Sequence, residues 1–215
     1  MSLFVRRERP REATTTAESA VARLPLHGSD REIVAALRSR SASGGSALYD
    51  RYHRHVRRVL FRVLGQSTDL GDLEQDAFVT AINTIGRLHD PEALGAWLTS
   101  IAVFTARLEI RRRARRRLFR FSSDEELVDL EAPVASPEMA EALRTTYRIL
   151  NKMPADERIA FALRFIDGME LAEVGRACGV SLATTKRRVQ RAKQRFDAMA
   201  ARYDELSDWL EATRP

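Results

Sequence analysis

A single cysteine, Cys178, stands in 215 residues, so no disulfide can close within the chain and no Cys pair has the spacing of a zinc site. The opening segment MSLFVRRERPREATTTAES carries cations but lacks the apolar stretch of a secretion signal, and no later run reads as apolar over the length a bilayer demands. Strand-like alternation of useful length is also missing, which points to an all-α fold. No Ser/His/Asp constellation, phosphate-binding glycine loop or pair of carboxylates in a plausible cleft is visible, leaving no basis for catalysis. His53 and His55 are two apart on a predicted helix and fall on different faces, so chelation by that pair is not expected. The expectation is a cytoplasmic protein with no metal, no cofactor and no membrane insertion.

Charge is what the chain has in abundance. Lys and Arg total 36 against 30 acids, a net charge of +6 that favours a polyanionic partner, while 44% hydrophobic content is enough for a real core. Distribution says more than the sum. The run Arg111 to Arg120, RRRARRRLFR, is nearly all cation, and the charged residues of the next segment, Ser122 to Glu131, are all acids. This reversal predicts a domain boundary.

The most specific local pattern lies between Glu170 and Phe196, ELAEVGRACGVSLATTKRRVQRAKQRF. Leu171, Val174 and Ala177 line one side of a first helix, Gly179 permits a sharp turn, and Ser181 can cap a second helix by accepting a backbone N–H bond. Leu182, Thr185, Val189, Ala192 and Phe196 then recur at helical spacing as a buried stripe, with the cations mostly outside it. That is a helix-turn-helix whose second helix suits the major groove. Ser181, Thr184, Lys186, Arg187, Arg188 and Arg191 are its candidate DNA contacts, with Thr184, Arg187 and Arg188 as the base readers. An ordinary solvated helix face is the competing reading of the same cations.

Elsewhere the pattern predicts successive helices. A short one follows an Asp30 cap and breaks at Ser41 to Gly45; a second carries Leu48, Tyr52, Val56, Val59, Leu60 and Val63 up to Gly65. A third, capped by Asp72, presents Leu73, Ala77, Phe78, Ala81, Ile82 and Ile85, with Glu74, Gln75 and Asp76 facing elsewhere. A long helix starts at Asp90-Pro91 and runs through Trp97, Leu98, Ile101, Phe104 and Leu108 into the arginine run. After the acidic segment, Met139, Leu143, Tyr147 and Leu150 mark another, and one more ends near Gly168. Residues 1–28 read as a flexible extension, 29–118 as a first helical domain, 119–136 as a flexible acidic linker, 137–203 as a helix-turn-helix domain and 204–215 as a tail with Leu206, Trp209 and Leu210.

From about Asp30 to Phe196 the chain resembles the extracytoplasmic-function group of bacterial RNA polymerase sigma factors, of the sigma-70 family. MPADERIAFALRFIDGMELAEVGRACGVSLATTKRRVQRAK is similar to the family's region four, and ALYDRYHRHVRRVL, DLEQDAF and AWLTSI follow one another as the parts of region two do. The resemblance implies that Asp72, Gln75 and Asp76 contact the polymerase clamp; without it they read as residues of a helix start. It implies that the helix from Trp97 to Arg117, with Arg111, Arg112, Arg113, Arg115 and Arg116, faces promoter DNA around the minus-ten element, and that a pocket around Arg87 to Asp90 holds an unstacked base. The helix-turn-helix would read the minus-thirty-five element. Core RNA polymerase, promoter DNA and an anti-sigma factor are the implied partners. Four positions depart from the pattern: Phe104 and Leu108 stand where the family often has asparagine and aspartate, and Ala183 and Thr185 where it often has glycine and an aliphatic residue. A stand-alone helix-turn-helix regulator, binding duplex DNA without polymerase, is the alternative.

Overall fold

Local caps and helical periodicity account for most of the computed structural model, which describes residues 28–65, 69–119 and 137–206. The N-terminal extension up to residue 27, the acidic linker from residue 120 to 136, and Trp209 and Leu210 of the tail lie outside the described residues. Those described form helices and turns without a strand.

Helix α1 (Asp30–Arg38) is capped by Ser29, not Asp30: Ser29 and Glu32 form a reciprocal capping box. Asp30 has another task. Its carboxylate accepts the Tyr52 hydroxyl at 2.7 Å and faces Arg51 at 3.2 Å. Burial, reinforced by Asp30, pushes the Tyr52 hydroxyl up to about 12. The chain then reverses through Arg40, which takes a left-handed φ of 56°. Because that one residue makes the turn, α2 (Ala42–Leu64) begins inside the segment expected to be a break. Gly44 lies where α2 crosses α1, and a Cβ there would come within 2.9 Å of the Leu37 amide nitrogen.

Helix α3 (Leu70–Thr84) starts earlier than an Asp72 cap would allow, with Asp69 at the N-cap position. The earlier start adds Leu70 to the buried arc. Glu74, expected outside, is only 4% exposed and pairs with Arg57 at 3.5 Å, because it sits one turn from both Leu70 and Phe78 in the middle of the buried arc. Ile82, at the edge of that arc, is exposed. Asp90 accepts the Glu92 N–H at 3.0 Å and starts a 3-10 turn, Pro91–Ala93, that leads into α4 (Leu94–Phe119).

Leu94, Leu98, Ala102, Val103, Ala106 and Ile110 of α4 are buried against α2, α3 and a helix of the C-terminal half. Phe104 and Leu108 are not: they are 50% and 49% exposed. Contrary to the sequence reading, Pro91–Arg116 is by length and composition apolar enough to cross a bilayer. Its apolar face packs on neighbouring helices instead, as in a core helix.

The C-terminal half comprises α5 (Pro137–Leu150), α6 (Ala155–Phe161), α7 (Leu171–Cys178) and α8 (Leu182–Ala200). Met139, expected on the core face of α5, is exposed. Past α6 the chain widens into a π-helical turn, Ala162–Ile166, closed by the Asp167 N–H on the Ala162 carbonyl, five residues back. Phe161 stacks on Phe196 with centroids 4.4 Å apart and meets Phe165 at 4.8 Å, which fastens α6 to α8. Tyr147, Leu150, Met153, Ala192, Ala200 and Leu206 complete this core. A second, larger cluster joins the two halves: Ile159, Ala162, Leu163, Val174 and Ala177 share it with α1 to α4.

Candidate nucleic-acid and polymerase interface

The α7–α8 pair is built as its sequence predicts at the turn. Gly179 ends α7 with φ 67°, a left-handed cap that glycine adopts without the Cβ penalty. Ser181 Oγ accepts the Thr184 N–H at 3.3 Å and donates to Thr184 Oγ1 at 3.1 Å. The Thr184 hydroxyl proton therefore remains free to point outward. Thr185 is buried against Gly175, where a Cβ would lie 2.9 Å from Thr185 Oγ1, so the two helices cross at a position only glycine fits. Leu182, expected in the stripe, is 47% exposed at the first position of α8; Thr185, Val189, Ala192 and Phe196 are buried.

The cations of α8 fall into two sets. Arg188 pairs with Asp156 at 3.0 Å and Arg195 with Glu157 at 2.7 Å, both acids in the first turn of α6, and Lys193 pairs with Asp197 at 2.8 Å. Lys186, Arg187 and Arg191 are exposed and have no carboxylate within ion-pair distance among the described residues. Arg187 and Arg191 are one turn apart on one face, with Thr184 one turn before. Sequence reasoning missed Asp156 and Glu157, because the residues they restrain are more than a helix away in the chain.

In the N-terminal half, Asp72, Gln75 and Asp76 are all exposed on α3. Asp72 and Asp76, with Asp69, form one bank of a groove of about 1060 Å³ between α3 and α4. Its floor is apolar, with Val79, Phe104 and Leu108, and its other bank carries Arg111, Arg112, Arg115 and Arg116. The structure thus brings the predicted acidic and basic residues to opposite sides of one groove. Phe104 and Leu108, which depart from the family pattern, belong to that apolar floor.

Glu109 organises the arginine bank. Its side chain is 2% exposed and accepts from Arg112 Nε and, at 2.7 Å, from Arg113 Nε, with Arg116 at 3.7 Å. Burial alone would raise the Glu109 carboxyl, but the hydrogen bonds from Arg112 and Arg113 outweigh it and hold the group below its ordinary value. Arg113 is consequently drawn inward, while Arg111 and Arg115 are exposed. Glu109→Gln should cost about 1.5–3 kcal/mol of stability near neutral pH, the range of hydrogen bonds to charged groups. A depressed folded value means that this stability is present above the unfolded carboxyl range and lost as pH falls through the folded value. Denaturant melts of the two proteins should therefore differ at pH 7 and converge in acid.

Neither Cys178 nor His55 offers chemistry here. Burial pushes the Cys178 thiol up despite nearby Arg107 and Arg188. His55 is pushed down by burial and by Arg58, and its Nε2 lies 2.8 Å from Thr99 Oγ1. The Thr99 hydroxyl itself donates to the Gly95 carbonyl at 3.0 Å, so it accepts from a neutral His55. Among the described residues no group of His, Cys, Asp and Glu has the geometry to hold a metal ion.

Comparison with known proteins agrees with this arrangement. The sigma-70 region 2 family matches residues 48–116, which contain α3, the groove and the arginine bank; the sigma-70 region 4 family matches residues 143–196, which contain the helix-turn-helix. The RNA polymerase sigma-H factor of Pseudomonas aeruginosa is 23% identical over 177 residues, covering 78% of this chain and 92% of that protein. The ECF RNA polymerase sigma-E factor of Escherichia coli K12 is 27% identical over 180 residues, with the same coverage of 78% and 92%. Two solved structures share the fold. CnrH, in complex with the cytosolic domain of CnrY, superposes with a TM-score of 0.54 at 23% identity, covering 81% of this chain and 99% of that one. The sigma factor RpoE, in complex with the anti-sigma factor NepR from Bartonella quintana, gives 0.56 at 23% identity over 73% and 95%. With both family regions matched in order over more than half its length, and each containing the surface its half presents, the chain belongs to the sigma-70 family, in its extracytoplasmic-function group.

Proposed function

We propose that the chain is a sigma factor that binds core RNA polymerase, recognises the minus-ten and minus-thirty-five elements of a promoter and starts transcription in the cytoplasm. The observation that carries this reading is the groove in the first domain, acidic on α3 and basic on α4, beside an outward cationic helix in the second. One small domain with opposite charges on two banks can engage a basic protein surface and DNA together. Asp72, Gln75 and Asp76 meet the polymerase. Arg111, Arg112, Arg115 and Arg116 hold promoter phosphates, adding affinity without reading sequence, and Arg113 supports them through Glu109. In α8, Arg187 and Thr184 read base edges, Lys186 and Arg191 neutralise phosphate, Arg188 joins the readers once released from Asp156, and Ser181 holds the helix start. Nucleotide chemistry belongs to the polymerase, as it does throughout this non-catalytic family. The two structural neighbours are bound to CnrY and NepR, and an anti-sigma protein of this kind is the regulator we assign here.

Binding to immobilised core polymerase tests the assignment of α3. Asp72→Arg with Asp76→Arg should weaken it at least about tenfold, since like-charge juxtaposition costs several kcal/mol, and Gln75→Ala should weaken it to a lesser degree. Helical circular dichroism and binding to a minus-thirty-five duplex should be unaffected. Undiminished polymerase binding by the double reversal would remove α3 from that interface.

A further inference from the structure

Helix α1 packs against both 3-10 turns that flank the loop between α3 and α4, Ile85–Arg87 before it and Pro91–Ala93 after it. The link to the loop itself is a single side chain. Arg38, in the last turn of α1 and 50 positions away in the chain, donates from its guanidinium to the Leu88 carbonyl in the middle of that loop. A second link reaches the first turn of α4: Asp30 accepts the Tyr52 hydroxyl at 2.7 Å, and a Cβ on Gly95 would lie 3.4 Å from Tyr52 Cε1. Arg31 lies 3.8 Å from Glu92, but both side chains are well exposed, and such a pair contributes little.

Leu88 is the pivot of the loop. Its backbone is extended, with φ −77° and ψ 112°, and its side chain is buried. Neighbours in extended backbone alternate sides, so burying Leu88 turns Arg87 and His89 outward, and both are exposed. Together they present a cation and a flat aromatic ring. That combination suits an unpaired base, because an imidazole offers a stacking face and a guanidinium can bond a base edge or the adjoining phosphate. The carbonyl that Arg38 grips belongs to the planar peptide unit joining Leu88 to His89, so a charge-assisted bond to it fixes the plane from which the His89 side chain projects. Helix α4 then connects the loop to the arginine bank. Roughly 25 Å of helix separates Leu94 from Arg111, so a strand held by its phosphates at the bank can place a base at the loop.

We propose that Arg38 is a positioning residue for base capture: by holding the Leu88 carbonyl it aims His89 to stack on an unpaired base of the opened promoter strand, with Arg87 anchoring that nucleotide. Arg38 touches no DNA itself and acts through the main chain of the loop. The capture step rests on the sigma-factor reading; the grip of Arg38 on the loop does not.

Amide hydrogen exchange of the free protein reads the grip. Arg38→Ala should speed exchange in residues 86–90 about tenfold, the effect of losing one hydrogen bond to a charged group, and Arg38→Lys, which keeps a charged donor, should restore most of the protection. Arg38 is exposed on α1, so helical circular dichroism should be unchanged in both variants. The capture step is read with core polymerase and single-stranded oligonucleotides of the minus-ten sequence. His89→Ala should weaken strand binding at least about fivefold, the low end for loss of one stacked base. Arg38→Ala should weaken it by less, and both variants should lose discrimination among the four bases at the same position. The double variant should be no weaker than His89→Ala alone, as two residues acting as one unit require. Binding to polymerase and to a minus-thirty-five duplex should be unaffected. Unchanged loop exchange in Arg38→Ala overturns the grip. Additive losses in the double variant, or weaker strand binding with base discrimination intact, overturn its action through His89. A wild-type chain that fails to bind polymerase counts against the sigma-factor reading, while exchange in the loop still decides the grip.

Discussion

Arg187→Ala should weaken binding to a minus-thirty-five duplex by about 1–3 kcal/mol and relax preference at one base position, whereas Lys186→Ala with Arg191→Ala should weaken all sequences alike. The reason is the sorting of α8's cations by their partners. Arg188, Lys193 and Arg195 are each held by a carboxylate, while Lys186, Arg187 and Arg191 are exposed. Arg187 is one turn from Thr184, whose hydroxyl is oriented by Ser181 near the helix start, the part of a recognition helix that meets base edges. A guanidinium there can bond two acceptors on one guanine. Lys186 and Arg191 then act as phosphate neutralisers, and losing two such contacts should lower the slope of log affinity against log salt by about 1.8. Titration of fluorescent duplexes across a salt series separates the two effects. Equal loss and equal slope change in both variants would contradict the division of roles.

Phe161→Ala should destabilise the protein by about 3–5 kcal/mol, the range for truncating a large buried aromatic. Phe161 is 1% exposed, stacked on Phe196 at 4.4 Å and tilted against Phe165 at 4.8 Å. It is the residue through which α6 holds α8, so its loss removes area, the stacking term and the fixed position of the reading helix together. The truncation should also loosen Arg188 and Arg195, whose partners Asp156 and Glu157 belong to the same helix as Phe161. Denaturant unfolding followed by circular dichroism measures the stability change. A loss below about 1 kcal/mol would mean the small core collapses around the gap, against the packing described.

What was legible in the sequence was local. Gly179 and Ser181 fix the turn and the start of α8 through conformations set within a few residues, and the structure places them as read. Ordered resemblance to regions two and four carried the family and the function. Cap positions were less legible, because adjacent polar residues compete for one role: Ser29 won over Asp30, and Asp69 over Asp72. Glu74 lies inward because it is one turn from both Leu70 and Phe78, and Ile82 lies outward at the edge of that arc. Phe104 and Leu108 fit an apolar helical pattern, and only the arrangement of α3 beside α4 shows that they floor an open groove instead of a core. The polar contacts between the two halves were not legible. Arg158 bonds carbonyls more than ninety positions away, and main-chain acceptors carry no residue signature.

Run-off transcription with core polymerase freed of other sigma factors tests the central claim most directly. Adding this chain to core polymerase and genomic fragments should produce discrete transcripts that begin downstream of a shared bipartite, non-palindromic sequence. Asp72→Arg with Asp76→Arg should abolish them, and Arg187→Ala should redistribute or weaken them. The account would be contradicted if no defined start appeared while the chain bound palindromic duplex DNA without polymerase.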